Sequence, residues 1–190
     1  MEHYQKLLQN ALAKHSVHVE KFINGEKSPY LYKRKQDEHY GDLDGNYFNR
    51  LKLCYALLYD VYPLETEQKK QIVRELLETE IISREQESFQ GIGSNLEILT
   101  CLAEKLEIPD RTALFQRAKD ANFDCSCGYD ETGKHYHFPP IFEISPTDCI
   151  YTMMDLEELE TLPPEDRTFL ADCAEKSGNS SLAEKIRSLS

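Results

Sequence analysis

Residues 94–130, SNLEILTCLAEKLEIPDRTALFQRAKDANFDCSCGYD, decide the fold. Leu96, Leu99, Leu102, Ala103 and Leu106 recur at three- and four-residue steps, the period of a helix with one buried face. Pro109-Asp110 breaks the run and opens a second helix that turns Ala113, Leu114, Ala118, Ala121 and Phe123 inward. Small residues at Ala118 and Ala121 let a neighbouring helix come close. With a short turn between them, the two helices fold back as an antiparallel hairpin.

The same build recurs on either side. Upstream, Tyr47 to Tyr62 is the most apolar helix, with Phe48, Leu51, Cys54 or Tyr55, Leu58, Val61 and Tyr62 on one face and Leu53 and Leu57 widening it. Pro63 stops it, and a helix over Glu67 to Ile82 follows, its stripe reading Ile72, Val73, Leu76, Leu77 and Glu80. Downstream, Pro163-Pro164 begins a last hairpin in which Phe169, Leu170 and Cys173 face Leu182, Ile186 and Leu189 across a turn at Gly178-Asn179. A first helix over about residues 2–23 is closed by Asn24-Gly25. The expected fold is mainly all-α, with stacked antiparallel helical hairpins in one domain over 1–190. Its parts are an N-terminal helix (1–24), a long loop without period (26–46), two central hairpins (47–123), a small β-hairpin near 125–138, and C-terminal acidic helices (145–190) that start at Ser145-Pro146 with Asp148. Hairpin starts near 47, 94 and 164 are unequally spaced, so no repeat of fixed period is present.

A chain that is 40% hydrophobic and 29% charged is too apolar for general disorder. A net charge of −12 repels phosphate backbones and favours a basic protein partner over nucleic acid. Between Glu143 and Asp172 nine acidic residues stand against Arg167 alone. No apolar run reaches the ~18 residues that cross a bilayer, and MEHYQKLLQNALAKHS lacks the apolar block of a signal peptide. The expected home is the cytoplasm, where the six cysteines stay reduced; Cys54, Cys101 and Cys173 fall in helical apolar patterns.

Motifs that carry chemistry are scarce. Asp42-Leu43-Asp44-Gly45 hints at a calcium loop, but aligning its glycine puts Tyr40 first and Leu51 last, where carboxylates are required. Phe89-Gln90-Gly91-Ile92-Gly93-Ser94 lacks the strand and the Lys-Ser/Thr pair of a phosphate loop; a turn with a helix cap at Ser94 or Asn95 accounts for it. Lys33-Arg34-Lys35 among tyrosines is followed at once by Asp37 and Glu38, which cancels a basic patch. His15 and His18 stand one turn apart without a third ligand. The one constellation of metal-binding type is Cys125-x-Cys127 with His135-x-His137, which a β-hairpin would aim at a single zinc, although one intervening residue is tighter than zinc pairs use. Cys149 beside Asp148 is a nucleophile only if a histidine comes close in space. No Glu-x-x-His or His-Glu-x-x-His is present, and no catalytic residue is assigned.

In type the helical hairpins resemble small helical repeat proteins of the tetratricopeptide and HEAT kind, without the tetratricopeptide Trp, Gly and Tyr positions in Ser94 to Leu106. Residues SFQGIGS (88–94) and ANFDCSCGYD (121–130) also resemble patterns of acidic helical bacterial immunity proteins, which neutralise toxins. The resemblance implies a recognition scaffold, and no functional residue carries over from it. The resulting expectation is a non-catalytic binder of a basic partner such as a toxin, with Asp120, Asn122, Asp124, Tyr129 and Asp130 as the binding surface and no resident cofactor. The competing expectation is a metal- or cysteine-dependent enzyme, which requires a deep pocket with converging titratable groups.

Overall fold

The computed structural model describes residues 3–38, 41–86, 91–145 and 159–189. Among them are eight α-helices and one two-stranded antiparallel sheet, so the protein is mainly helical with a small hairpin. The chain divides into two compact units, residues 15–138 and residues 1–14 with 139–190. Helix α1 (His3–Ile23) contributes residues to both. No described helix is long and apolar enough to cross a membrane.

In the larger unit, α1 ends as its sequence predicts. Gly25 takes φ +88°, and Glu26 N donates back to Lys21 O at 3.0 Å, which satisfies carbonyls the helix leaves over. Helix α2 (Tyr47–Leu58) is shorter than the expected 47–62. Asp60, not Pro63, stops it: Asp60 adopts φ +52° and Val61 N reaches Ala56 O at 3.2 Å. Helix α3 (Thr66–Arg84) opens with Gln68 Oε1 accepting from Glu65 N at 3.3 Å. Helix α4 (Ser94–Lys105) packs against both α2 and α3 and is the centre of the unit. Its N-cap is Gly93 rather than Ser94 or Asn95, and Asn95 turns into the core. Helix α5 (Arg111–Lys119) lies against α3, where Arg74 Nε and Nη2 donate to Asp110 Oδ2 at 2.8 and 2.7 Å.

Two expectations are corrected here. Residues 26–46 are not a loop without period: they hold a 3₁₀ turn (Ser28–Tyr30) and strands β1 (Arg34–Asp37) and β2 (Gly41–Asp44), with Arg34 opposite Asp44 and Asp37 opposite Gly41. Apart from the exposed Leu43 the strands carry no large apolar residue, and side chains at the hairpin base order them instead. Asp44 Oδ1 accepts from Asn46 N (3.0 Å) and Lys33 N (3.2 Å), while Asn46 Nδ2 donates to Ser28 O (3.1 Å) and Leu31 O (2.8 Å). The hairpin expected near 125–138 is absent, because Phe123–Gly128 form helix α6. Asn122 Oδ1 accepts from Cys125 N at 2.8 Å, and that cap commits the Cys-x-Cys stretch to a helical turn.

The smaller unit is built on α7 (Pro164–Lys176) and α8 (Ser180–Ser188), joined by the expected Gly178-Asn179 turn. Leu170, Ala171, Ala174, Ala183 and Ile186 form its core with Leu7 and Ala11 of α1 and Leu159. Asn179 Oδ1 caps α8 by accepting from Leu182 N at 3.1 Å. The expected helix start at Pro146 and Asp148, the nucleophile candidate Cys149, and the acidic residues Asp155, Glu157 and Glu158 lie outside the described residues, as do Tyr40 and Phe89-Gln90.

Candidate functional site

The densest polar constellation in the larger unit is one that periodicity places on apolar faces. Arg50 sits on the buried side of α2, and Glu80, Ser83 and Arg84 continue the buried stripe of α3. The side chains of Arg50, Asp44, Glu80 and Arg84 have no exposed surface at all. Arg50 Nε donates to Glu80 Oε1 at 2.5 Å, and Arg50 Nη2 donates to Asp44 Oδ2. Asp44 Oδ2 also accepts from Ser83 Oγ at 3.0 Å. Asn95 Nδ2, from α4, donates to Glu80 Oε1 at 2.8 Å and to Tyr47 O at 3.1 Å. Arg84 lies 3.1 Å from Glu80 Oε2, donates through Nε to Ile92 O at 2.5 Å, and stacks over Tyr47 at 5.7 Å. The cluster therefore ties the β-hairpin, α2, α3, α4 and the 91–93 loop together.

Its electrostatics follow from burial. Burial alone would raise Asp44, but the hydrogen bond and charge of Arg50, with the N–H groups of Asn46 and Lys33, hold it below the ordinary carboxylate value. Burial opposes the charge on Arg50 too, yet Glu80 and Asp44 hold its pKa above the usual value. The Cys54 thiol beside them is pushed well up by burial and by Glu80, so it stays a thiol. Two positive and two negative groups balance with no side-chain surface exposed. Such a centre organises elements; it does not admit a substrate.

The expected binding residues have structural duties. Asn122 caps α6 and spans to Arg84 O and Gly91 O, both at 3.4 Å. Asp124 Oδ2 accepts from Gly91 N at 2.5 Å. Tyr129 is buried, its hydroxyl 2.7 Å from Thr100 Oγ1. Asp130 fastens the next turn by accepting from Thr132 N, Thr132 Oγ1 and His135 N. Burial opposes its charge, and these bonds with His135 outweigh that, bringing it to about 2. Asp120 remains exposed, accepting from Gln116 Nε2 at 3.1 Å. Tyr129→Phe leaves Thr100 Oγ1, which itself donates to Leu96 O, without a donor. Urea unfolding of this variant is expected to show a loss of about 1 kcal/mol, the net worth of one buried hydrogen bond. An unchanged midpoint would contradict the structural role.

The zinc constellation is not assembled. Residues two apart on a helix point to different sides, so Cys125 is buried and Cys127 exposed on α6. His135 is exposed beside Asp130 (Nδ1–Oδ2 3.2 Å), and His137 is exposed as well. Among the described residues no group of three or more His, Cys, Asp or Glu side chains could hold a metal ion.

His15 and His18 do come together, as packing rather than as ligands. Their ring centroids lie 6.2 Å apart, and His18 Nδ1 is 3.0 Å from Tyr30 Oη. Burial first, then His15, Lys52 and Lys21, lower His18 from 6.5 to about 4. The unfolded chain therefore takes up this proton more readily than the folded one, and stability falls as pH drops from 6.5 toward 4. The ring is partly solvated, so screening reduces the effect to on the order of 1 kcal/mol. Urea midpoints at several pH values across that window should fall for the wild type and fall less for His18→Gln; parallel slopes would refute the assignment.

In the smaller unit, a groove of about 520 Å³ is lined by Leu7, Asn10, Lys14, Leu162, Pro163 and Asp166, among others. Asp166 is bonded to His3 at 2.7 Å, and among the described residues no convergent set of acids, bases and nucleophiles faces the groove. Compared with protein families, with characterised proteins and with solved structures, the chain shows no match.

Proposed function

We propose that this chain is a non-catalytic binding scaffold that meets a basic protein through its acidic exterior, in the manner of an immunity protein that inhibits a toxin. The observation that carries the reading is the balance of the buried centre. Arg50 and Arg84 cancel Asp44 and Glu80 in the interior, so these buried charges account for none of the net charge of −12. Such a field speeds encounter with a basic surface and repels nucleic acid. Cytoplasmic residence belongs to the same reading and agrees with free thiols at Cys54, Cys101, Cys125, Cys127 and Cys173.

Affinity capture at about 0.1 M and about 1 M salt tests it, because the screening length falls from about 10 Å to about 3 Å. A basic protein held at the lower salt and released at the higher is the expected result. Equal retention at both, or capture of an acidic partner, would remove the electrostatic basis. Where the captured protein is toxic, co-expression should restore growth.

A further inference from the structure

We infer that the buried ion centre of the larger unit is a binding site for one internal water molecule, held between Glu80 Oε2 and Asn95 Oδ1. The site is independent of the proposed function. Asn95 is fully buried, and its Oδ1 has no hydrogen-bond donor; Glu80 Oε2, also buried, has none either. Arg84 Nη2 stands 3.1 Å from Glu80 Oε2 as an ion partner, without the alignment of a hydrogen bond. Rotating the Asn95 amide does not resolve the matter. Its Nδ2 donates to Tyr47 O and Glu80 Oε1, and both of these can only accept, so the present orientation is the required one.

The two acceptors belong to groups joined at 2.8 Å through Asn95 Nδ2 and Glu80 Oε1. Asn95 Oδ1 faces no donor and Glu80 Oε2 faces only the misaligned Arg84 guanidinium, and a single water supplies an O–H group to each. A cation is disfavoured because the guanidinium groups of Arg50 and Arg84 already engage this carboxylate. A larger neutral molecule has no room: the surrounding side chains are fully enclosed, and on the loop side even a methyl added at Gly93 would overlap Arg84 Nη2. Leaving both acceptors without donors in a low-dielectric interior is the costly alternative.

A crystal structure of the whole chain at a resolution that shows ordered solvent tests the site directly. Expected is one water within hydrogen-bond distance of both Glu80 Oε2 and Asn95 Oδ1. In solution, oxygen-17 relaxation dispersion should register one water resident longer than the tumbling time of the protein, with that amplitude lost in Asn95→Leu. Electron density without a water there, or protein donors occupying both acceptors, would overturn the inference. So would an unchanged dispersion amplitude in the variant. If Asn95→Leu does not fold, the wild-type density alone decides.

Discussion

Glu80→Ala is expected to lower the urea midpoint by roughly 2 M, the largest single effect in the chain. The substitution removes the carboxylate that faces both Arg50 and Arg84, and it strips Asn95 Nδ2 of one acceptor. Arg50 would then keep Asp44 as its buried ion partner, while Arg84 would lose the carboxylate 3.1 Å from its Nη2. Removing one partner of a buried ion pair costs about 3–5 kcal/mol, because the remaining charge is left uncompensated. Total stabilities run only to about 5–15 kcal/mol, and a urea slope of about 2 kcal/mol per M converts the loss into the stated shift. Arg50→Met should be similarly damaging, since it strands Asp44 and Glu80. Combining it with Glu80→Leu removes both sides of the Arg50–Glu80 pair and should cost less than the sum of the single changes. Additive effects, or a loss below about 1 kcal/mol for Glu80→Ala, would mean the centre is far less coupled than its distances imply.

Gly93→Ala ranks second, with an expected loss of about 3 kcal/mol from two sources. The residue holds φ +78° and ψ +143°, a conformation that side-chain-bearing residues rarely adopt. The new methyl would also overlap Arg84 Nη2 and come within 3.3 Å of Tyr47 Oη. Arg84 cannot swing away, since it is enclosed, bonded to Ile92 O and paired with Glu80. Gly25→Ala is the matched control. It has φ +88° but nothing within 4 Å of the added carbon, so it bears backbone strain alone, about 1 kcal/mol. Thermal melts of the two variants should differ clearly. Equal losses would show that the Arg84 contact relaxes without penalty.

Helical period was enough to locate most of this architecture. Leu96, Leu99 and Leu102 mark α4, and the Gly178-Asn179 turn between α7 and α8 stands where the residues require. The misplaced hairpin has a local cause. Cys-x-Cys and His-x-His share a face only if the backbone is extended, and the Asn122 cap makes the first pair helical. The true hairpin was hidden because RKQD and GDLD carry little strand preference, and their order comes from Asp44 and Asn46 acting across sequence.

The ion centre was half legible. Glu80 already stood in an apolar stripe with Leu76 and Leu77, and a charge in that position is the available signal that a buried partner exists. Its partners could not be named from spacing, because Asp44, Arg50 and Asn95 come from three other elements. Asp124 and Asn122 belong to the expected binding surface, and their bonds to the Gly91 backbone hold a loop. Nothing in the local sequence separates such a fastener from an outward-facing contact.

The arrangement of Arg50, Glu80, Asp44 and Asn95 also bears on how this protein can change over generations. Each of these side chains is bonded to at least two other groups, so an isolated replacement leaves something stranded. Descendants should keep the quartet whole or exchange it together for greasy residues of similar bulk, which is often tolerated where a lone deletion is not. Intermediate combinations are expected to be scarce among its kin, a vacancy in ancestry that mirrors the crowding of the core.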